Sequence, residues 1–456
     1  MRCTGLRWVG LLLPLVMGTL PLLRAEEAKS GAGQGTKQAF AVRFETLAPT
    51  SPAGSPPQAG SQEISLETLT AEAEKNNPGI QAALRVVEAK RARVPQARAY
   101  PDPMVSFAYM GNLIPPFTQQ RDDPSSFRQI EASQEIPFPG KRGLRGRIAG
   151  KDADAAWWDY ENARRRVVSE VKVAYYDLYY LYKAIAITEK NRDLLNKLAK
   201  IAEEKYKVGK GIQQDVLRAQ VEISRLLQRL TVLDQLKRTA EARLNTLLYR
   251  PPETPIGAPG EVQKSPLVYS LQELTERATE NYPELKRQQE LIEQSQFVVN
   301  LAQKEYYPNF SVGFSYQNRS SGLPEMWGAR FSATIPVFYK NKQRQGVNEA
   351  ALMLAGAKRM EENIRIEMFY SLKEQYLMAR ASEALADLYA KAIVPQSTLA
   401  LESSLASYEV GMVDFLTMLN NFTTVLEYEI NYYQELTNYQ KALARMEPIV
   451  GMSLTK

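Results

Sequence analysis

The chain has 456 residues, a formal net charge of +6, no histidine and one cysteine, Cys3. If the N-terminus is removed as argued next, the mature chain lacks disulfides, thiol nucleophiles, histidine bases and the commonest soft-metal ligands. Because the sequence also lacks a glycine-rich phosphate loop and a nucleophile elbow, we expect neither an enzyme nor a cofactor, and the mild charge predicts no nucleic-acid partner.

The first 62 residues are predicted to stand apart from the folded body. Arg2 and Arg7 precede an apolar run over residues 8–23, which is typical of a secretory signal peptide, so we expect residues 1–25 to be removed. A permanent membrane anchor is the alternative, but the run is shorter than about 20 apolar residues and contains prolines. Residues 26–62 are rich in alanine, glycine, serine, proline and glutamine, which predicts a flexible segment.

The rest of the chain repeats itself, with four segments recurring in the same order. They are SLETLTAEAEKNNP and SLQELTERATENYP, AYPDPMVSFAY and YYPNFSVGFSY, EIPFPGK and TIPVFYK, and YKVGKG and YEVGMV. The spacing between copies is far longer than a solenoid repeat, so we interpret it as a tandem duplication. The first repeat is residues 63–250, a linker covers 251–268, and the second repeat is residues 269–452. Each repeat predicts a helix, a β-hairpin and long helices, and we expect the two to interlock as one body.

Each repeat contains two segments in which apolar and polar side chains alternate. These predicted strands are residues 104–112, 127–136, 310–317 and 327–335. Each is about nine residues long, the length of a tilted strand that crosses a bilayer, and the apolar faces end in aromatic residues as interface girdles do. Alternation alone would equally fit two hairpins on one soluble sheet, and the helix lengths disfavour that alternative.

Long helices surround the predicted strands. They are residues 78–99, 141–207 and 213–248 in the first repeat, and 283–306, 340–407 and 413–450 in the second. The longest helix of each repeat would span roughly 100 Å, and the other two placed end to end would span roughly 90 Å. The second long helix is expected to kink at Pro395. Matching lengths in both repeats predict a helical barrel with strands at one end.

Four strands are too few to close a membrane barrel, since the smallest single-chain barrels have about eight. An open sheet in lipid would leave backbone groups unpaired, at a cost of several kcal/mol each. We therefore expect the chain to share a barrel with copies of itself. Two copies would give about eight strands, and three would give about twelve with room for a pore. The pattern leaves both numbers open.

The repeated helix openings NNP and NYP, strand starts YPDP and YPN, strand ends EIPFPGK and TIPVFYK, and YxVG turns resemble the TolC-type outer-membrane efflux proteins. The resemblance covers about residues 63–452, and QEIPFPGKR is most similar to the heavy-metal, CzcC- and CusC-like, branch. It implies a mainly α fold with a small membrane β part: a homotrimer whose 12-stranded β-barrel is joined to a long periplasmic α-helical barrel. Some relatives carry a lipid-modified cysteine after the signal, and this chain has none there.

The resemblance also implies a function. It predicts the exit duct of a tripartite efflux pump in the outer membrane of a Gram-negative cell, working with a periplasmic adaptor and an inner-membrane resistance-nodulation-division transporter. Heavy-metal cations are the expected cargo, and drugs, solvents or type I secreted polypeptides are the alternatives. A soluble periplasmic coiled-coil adaptor is disfavoured, because adaptors place their β modules outside one helical hairpin.

Two sites are expected at the periplasmic tip on this resemblance. Adaptor docking is predicted at the two tip turns, formed by Tyr206, Val208, Gly209, Lys210, Tyr408, Val410, Gly411 and Met412. Plain helix ends are the alternative for the two glycines. A closed aperture lined by acids is predicted at Asp414, with Thr417 where relatives often carry a second acid. The alternative for Asp414 is a helix N-cap, and an N-cap is the favoured role of Asp215.

A third site is predicted where the strands end. Basic residues recur there in both repeats: Lys141, Arg142, Arg145, Arg147, Lys340, Lys342 and Arg344. Cations at a helix N-terminus oppose its dipole, so local stability does not explain them. We expect a basic collar facing anionic lipid head groups or the lumen wall, with a solvated helix start as the alternative.

Overall fold

The computed structural model describes residues 64–111, 125–319 and 322–455. The predicted signal peptide, residues 1–25, and the segment 26–62 lie outside them. The first repeat forms α1 (Leu66–Asn76), α2 (Pro78–Arg98), β1 (Met104–Met110), β2 (Phe127–Ile136), α3 (Lys141–Lys207) and α4 (Gln213–Leu247). The second forms α5 (Leu271–Asn281), α6 (Pro283–Lys304), β3 (Asn309–Arg319), β4 (Met326–Thr334), α7 (Gln343–Leu388), α8 (Val394–Glu409) and α9 (Phe415–Val450).

Local sequence signals set the helix starts. The Asn77 side chain accepts hydrogen bonds from the amides of Gly79 and Ile80, and α2 then begins with Pro78, whose missing N–H costs nothing at that position. The second repeat uses a capping box between Ser270 and Glu273 for α5. The short helices therefore begin where the duplicated openings predict.

The 67-residue helix α3 is the axis of the described body. Helices α2 and α4 pack along it within the first repeat, and α6 and α9 pack on it from the second. At the end far from the strands, α3, α4, α8 and α9 share an apolar core that includes Leu198, Leu226, Leu401 and Phe422. None of the helices in the described ranges is both long and apolar enough to cross a bilayer.

The strands form one antiparallel sheet in the order β1-β2-β3-β4. Strands β2 and β3 join the two repeats, with Ala132 opposite Phe314. One face carries exposed aromatic residues, and Phe107 on β1 and Phe331 on β4 are 58% and 70% exposed. The other face is polar, with an ion pair of 3.1 Å between Arg330 and Glu131. Within the described residues, β1 and β4 each lack a second neighbour, so the sheet is open.

The second long helix begins later than predicted and is interrupted just before Pro395, where the sequence predicts a kink. It begins at Gln343 rather than at residue 340. In the first repeat the matching turn ends at Gly140, whose φ is +94°, and α3 begins at the next residue. Tyr339 stands at the corresponding position of the second repeat, and a residue with a side chain does not adopt that conformation freely. The second long helix is also interrupted by one π-helical turn, Tyr389–Ile393, immediately before α8. Pro395 has no N–H to donate within the helix, and the preceding backbone adapts by a π-helical turn.

Candidate functional site

The first tip turn joins α3 to α4. Gly209 has φ +70°, a conformation that glycine adopts without a side-chain penalty. The amide of Lys210 donates to the carbonyl of Lys205 at 2.8 Å, and the amide of Gly209 donates to the carbonyl of Tyr206 at 3.0 Å. These two bonds satisfy carbonyls that α3 would otherwise leave unpaired, in a Schellman motif.

The second tip turn, between α8 and α9, has the same geometry. Gly411 has φ +83°. The amide of Met412 donates to the carbonyl of Ser407 at 2.9 Å, and the amide of Gly411 donates to the carbonyl of Tyr408 at 3.2 Å. The duplicated YxVG sequence therefore encodes one turn twice, and both glycines are helix-ending residues.

The two tips touch each other through Lys205. Its ammonium donates to the backbone carbonyl of Tyr408 and, at 3.3 Å, to that of Glu409. The same Nζ atom lies 3.9 Å from the centre of the Tyr408 ring. A cation at a helix C-terminus complements the helix dipole, and a cation over an aromatic face is attracted to it. Lys205 thus fastens the end of α3 to the end of α8.

Tyr408 is buried beneath the tip and is not part of its surface. Its ring packs edge-on against Phe415 at 5.6 Å between ring centres. Burial raises the pKa of the Tyr408 hydroxyl, and the nearby Asp215 carboxylate adds to the rise. The adaptor-docking prediction for Tyr408 therefore needs correction, because this side chain holds the two tips together instead of facing outward.

The remaining apolar side chains of the two turns are exposed. Val410 and Met412 are 70% and 83% exposed, and Tyr206 and Val208 are also exposed. Neighbouring Ile212 extends the same patch. We call these five residues the apolar tip. Contiguous exposed apolar side chains are typical of protein interaction sites. The sequence did not single out Ile212, which follows the turn without a repeat counterpart of its own type.

Asp414 is the N-cap of α9. The amide of Thr417 donates to its Oδ1 atom at 3.3 Å. The hydrogen bond from the Thr417 hydroxyl lowers the pKa of the Asp414 carboxyl, the Thr417 amide adds to the effect, and Arg218 adds a smaller electrostatic contribution. Both side chains are exposed. The N-cap alternative is therefore observed, and the capping carboxylate is ionised and accessible.

Asp215 is not an N-cap, contrary to the prediction. The N-cap of α4 is Ile212, and Asp215 lies inside the first turn of the helix. Burial raises the pKa of the Asp215 carboxyl, Arg218 opposes the rise, and Asp414 adds to it. The positive charge of Arg218 thus favours the ionised form of both acids, Asp215 and Asp414. Arg218 was not predicted as a site residue, although its position three residues after Asp215 places the two side chains on one face of α4.

The predicted basic collar does not contain Lys141. Its side chain is only 1% exposed and its ammonium bonds Glu305 at 2.9 Å, Asn309 Oδ1 at 2.8 Å and the carbonyl of Tyr307 at 3.0 Å. Lys141 is therefore an internal contact between the two repeats.

The other cations of the first repeat are also engaged within the chain. Arg142 donates to the carbonyl of Arg98 at 2.9 Å and lies 3.3 Å from the centre of the Tyr100 ring. Arg145 is 4.0 Å from a Glu305 oxygen. Arg147 lies 4.9 Å from the centre of the Phe297 ring.

The second repeat differs in this region. Lys340 lies in the turn before α7, Lys342 is the residue before that helix, and Arg344 lies in its first turn. In the described part of the chain, none of the three forms an ion pair. The two basic clusters therefore have different surroundings although their sequences correspond. Across the same residues, no group of three or more acidic side chains is placed to hold a metal ion.

A family model described as "Outer membrane efflux protein" matches residues 69–248, within the first repeat. Similarity to a single relative extends over both repeats. The cobalt-zinc-cadmium resistance protein CzcC of Cupriavidus metallidurans is 21% identical over 401 residues, which is 87% of this chain and 92% of the relative.

Solved structures share the fold. The outer membrane protein VceC of Vibrio cholerae superposes with a TM-score of 0.73 at 16% identity, over 85% of this chain and 96% of that chain. CusC gives a TM-score of 0.72 at 16% identity, over 84% and 91% of the two chains. The open-state MtrE channel of Neisseria gonorrhoeae gives 0.68 at 17% identity, over 86% and 89%. The mainly helical architecture with a small sheet is thus that of these channels.

Proposed function

We propose that this chain, a member of the outer membrane efflux protein family, is the exit duct of a tripartite pump that exports heavy-metal cations. It is an outer-membrane protein with a large periplasmic helical part. The observation that carries the cargo assignment is the relation to the cobalt-zinc-cadmium resistance protein, which extends along 92% of that relative and includes both repeats. Because the similarity covers nearly the whole of both chains, it indicates common descent of the entire protein and not of one domain.

The open sheet supports assembly of a homotrimer. In the described ranges β1 and β4 each have one neighbouring strand, and lipid offers no hydrogen bonds to the outer edge of a strand. Three copies would supply about twelve strands, enough to close a barrel with a water-filled lumen. The exposed aromatic face of the sheet would then contact the outer-membrane lipid.

The apolar tip supports docking of a periplasmic adaptor. Tyr206, Val208, Val410 and Met412 are exposed around two rigid turns set by Gly209 and Gly411, and Lys210 adds a cation beside them. The duplicated turns offer a helical adaptor two docking positions per copy that share one backbone geometry. The inner-membrane partner in this proposal is a resistance-nodulation-division transporter, which would select the cargo.

Asp414 suits an aperture role in the same assembly. Its carboxylate is exposed and its pKa is lowered, so it is charged at neutral pH. Three copies around an axis would form a negative ring that concentrates cations, with Thr417 alongside. The remaining cations of the collar prediction, Lys340, Lys342 and Arg344, lie at the other end of the duct.

The proposal is tested by a growth-inhibition panel with a deletion strain and its complement. Zinc, cobalt, cadmium, copper and silver are compared with detergents, dyes and antibiotics. We expect selective metal sensitivity that the wild-type gene reverses. A Met412→Asp variant should fail to reverse it at an unchanged level in the outer membrane, because a charge in the apolar tip opposes docking. Sensitivity to organic compounds alone would replace the metal assignment with drug or solvent export.

A further inference from the structure

The two β-hairpins have the same register under the sequence duplication. Phe107 lies opposite Ile130 in the first hairpin. Their counterparts in the aligned repeats, Phe314 and Ala329, lie opposite each other in the second. Residues that correspond in the two repeats therefore have corresponding cross-strand partners in the two hairpins.

The segment that follows β2 in the first repeat packs on the segment that precedes β3 in the second repeat. We call this contact the seam. Besides the pairing of β2 with β3, Phe138 stacks on Tyr307 with 4.5 Å between ring centres. The buried Lys141 ammonium closes the seam by bonding Asn309 and Glu305 across it. The described chain contains one such seam, because each repeat has one segment after its second strand and one segment before its first strand.

The two segments that could form a second such seam lie at opposite edges of the sheet. One follows β4 and the other precedes β1. Residues 335–340, which we call the second exit, include Ile335 and Phe338, which are 68% and 79% exposed. Tyr100, the counterpart of Tyr307 at the start of β1, is also exposed. Lys340 corresponds to Lys141, and Asp102 corresponds to Asn309. In the described ranges neither Lys340 nor Asp102 forms an ion pair.

We propose that the second exit of one copy packs on the start of β1 in the next copy, where Lys340 binds the carboxylate of that copy's Asp102. Strand β4 then pairs with the next copy's β1 as β2 pairs with β3. Because Ala132 lies opposite Phe314, Phe331 lies opposite Phe107 of the next copy. The inference rests on the self-association in the proposed function and adds its register and its ion pair.

The substitutions between the repeats fit this arrangement. Within a chain, the lysine meets a carboxylate at Glu305 and an amide at Asn309. Between copies, Arg98 stands in place of Glu305 and Asp102 in place of Asn309. The carboxylate is therefore found at the position of Asn309, whose Oδ1 atom lies 2.8 Å from the lysine Nζ atom in the internal seam. One negative partner is retained for each lysine. An ammonium and a carboxylate at that distance form a charge-assisted hydrogen bond.

The register also keeps the two faces of the sheet continuous. It places Phe331 and Phe107 on the same apolar face and Ser332 opposite Ser106 on the polar face. A shift by one residue would bring each apolar side chain to the polar face. The interface is head-to-tail, and such interfaces close into a ring when the rotation between copies allows it.

Disulfide cross-linking tests the register. In a Cys3→Ser background no other cysteine is present. Ser332→Cys combined with Ser106→Cys should give ladders of cross-linked copies on non-reducing gels, because paired strand residues lie within disulfide reach. The matched control, Ser332→Cys with Ala108→Cys, joins diagonal neighbours whose Cα atoms are about 7–8 Å apart, beyond the usual disulfide range, and should cross-link far less. Cross-linking of the control pair in place of the first would overturn the register.

Charge exchange tests the ion pair. Lys340→Glu and Asp102→Lys should each lower the fraction of oligomer that survives heating in detergent, and the combined variant should restore it. Lys342→Glu is the control, since Lys342 lines an open cleft together with Lys141 and has no assigned partner in the proposed interface. Independent, additive losses in the combined variant would overturn the ion pair.

Association of copies and the register of their strands are measured separately. Light scattering of the unmodified protein in detergent reports whether copies associate at all. A monomer there would contradict the ring in the proposed function. A stable oligomer in which the control cysteine pair cross-links would contradict only the register, and one with no coupling between Lys340 and Asp102 would contradict only the ion pair.

Discussion

The Nζ atom of Lys205 lies 3.9 Å from the centre of the Tyr408 ring, so the last turn of the first repeat's long helix is bound to the last turn of the second's. The repeats are thus joined at both ends of the helical body, by this contact at the tips and by Lys141 and the β2–β3 pairing at the strands. A duct that opens by moving its tip helices must break the first contact and can leave the second intact.

Replacing Lys205 should loosen the tip. Lys205→Met removes the ammonium from two helix-terminal carbonyls and from the Tyr408 ring, a loss of about 1 kcal/mol. We expect faster hydrogen exchange over residues 406–412 and higher single-channel conductance in planar bilayers. Lys207→Met is the control, since within the described ranges the ion pairs of Lys207 are with Glu203 and Glu204 of its own helix. Equal effects of both variants would show that the tip contact has no special role.

The turn glycines should resist substitution. Gly209→Ala and Gly411→Ala force alanine into the left-handed region, which costs about 1 kcal/mol or more at each turn. Hydrogen exchange in the tip should therefore accelerate. Gly143→Ala is the opposite case, because a Cβ at this helical position meets no atom within 4 Å. It should stabilise α3 by up to about 1 kcal/mol in chemical unfolding. A stabilising effect at Gly209 would contradict the turn geometry.

Two substitutions separate the capping role of Asp414 from its charge. Asn is as good an N-cap as Asp, so Asp414→Asn should keep hydrogen-exchange protection in the first turn of α9 while removing the negative charge. Asp414→Ala should lose both. If Asp414 lines the aperture, both variants lower cation selectivity in a salt gradient across a planar bilayer. Unchanged selectivity in Asp414→Asn would leave the cap as its only role.

The C-terminal segment is fixed by a buried ion pair. Lys172 bonds Glu447 at 2.6 Å, and Glu447 also accepts from the amides of Leu454 and Thr455. Lys172→Met leaves a buried carboxylate without its cation and should lower the free energy of unfolding by about 3–5 kcal/mol. Arg85→Met, in an exposed pair, should cost less than about 1 kcal/mol in the same urea titration. Similar costs for the two variants would contradict the importance of burial.

The linker should loosen in acid. Hydrogen bonds from the Lys183 ammonium and the Tyr179 hydroxyl lower the pKa of Glu261 below its ordinary value of 4.5. A carboxyl with a lowered folded pKa stabilises the fold above its ordinary pKa, and that contribution disappears as the pH falls through the folded pKa. The pair is exposed, so the contribution is less than about 1 kcal/mol.

We expect pepsin cleavage within residues 251–268 to become faster as the pH falls from about 4.5, relative to cleavage elsewhere in the chain. Glu261→Gln should show the faster relative cleavage already at the upper pH and little change on acidification. A wild-type chain whose relative cleavage rate is independent of pH would show that this ion pair does not hold the linker.

Periodicity and duplication predicted most of the fold. The strand β2 and the helix α3 have the predicted bounds, since alternation and an uninterrupted helical pattern identify them locally. The turn glycines were also predictable, because only glycine adopts their conformation freely. These features depend on residues close in sequence.

The misassigned residues depend on distant partners. Lys141 was predicted to be exposed, but it is buried against Glu305 and Asn309, more than 160 positions further along the chain. Tyr408 was predicted to belong to an adaptor-docking turn, but its side chain is buried, because Phe415 packs on its ring and Lys205, 203 positions earlier in the chain, binds its carbonyl. The late start of α7 follows from Tyr339 in place of one glycine, a local difference between two otherwise corresponding segments.

The central claim, metal export through this duct, is tested most directly by the metal content of the periplasm. Cells with and without the gene are exposed to equal sub-inhibitory zinc, cobalt or cadmium, and periplasmic extracts are measured by mass spectrometry. The deletion should retain more metal, and the wild-type gene should restore the lower content. Equal metal content in both strains, together with retention of a fluorescent drug in the deletion alone, would contradict the assignment.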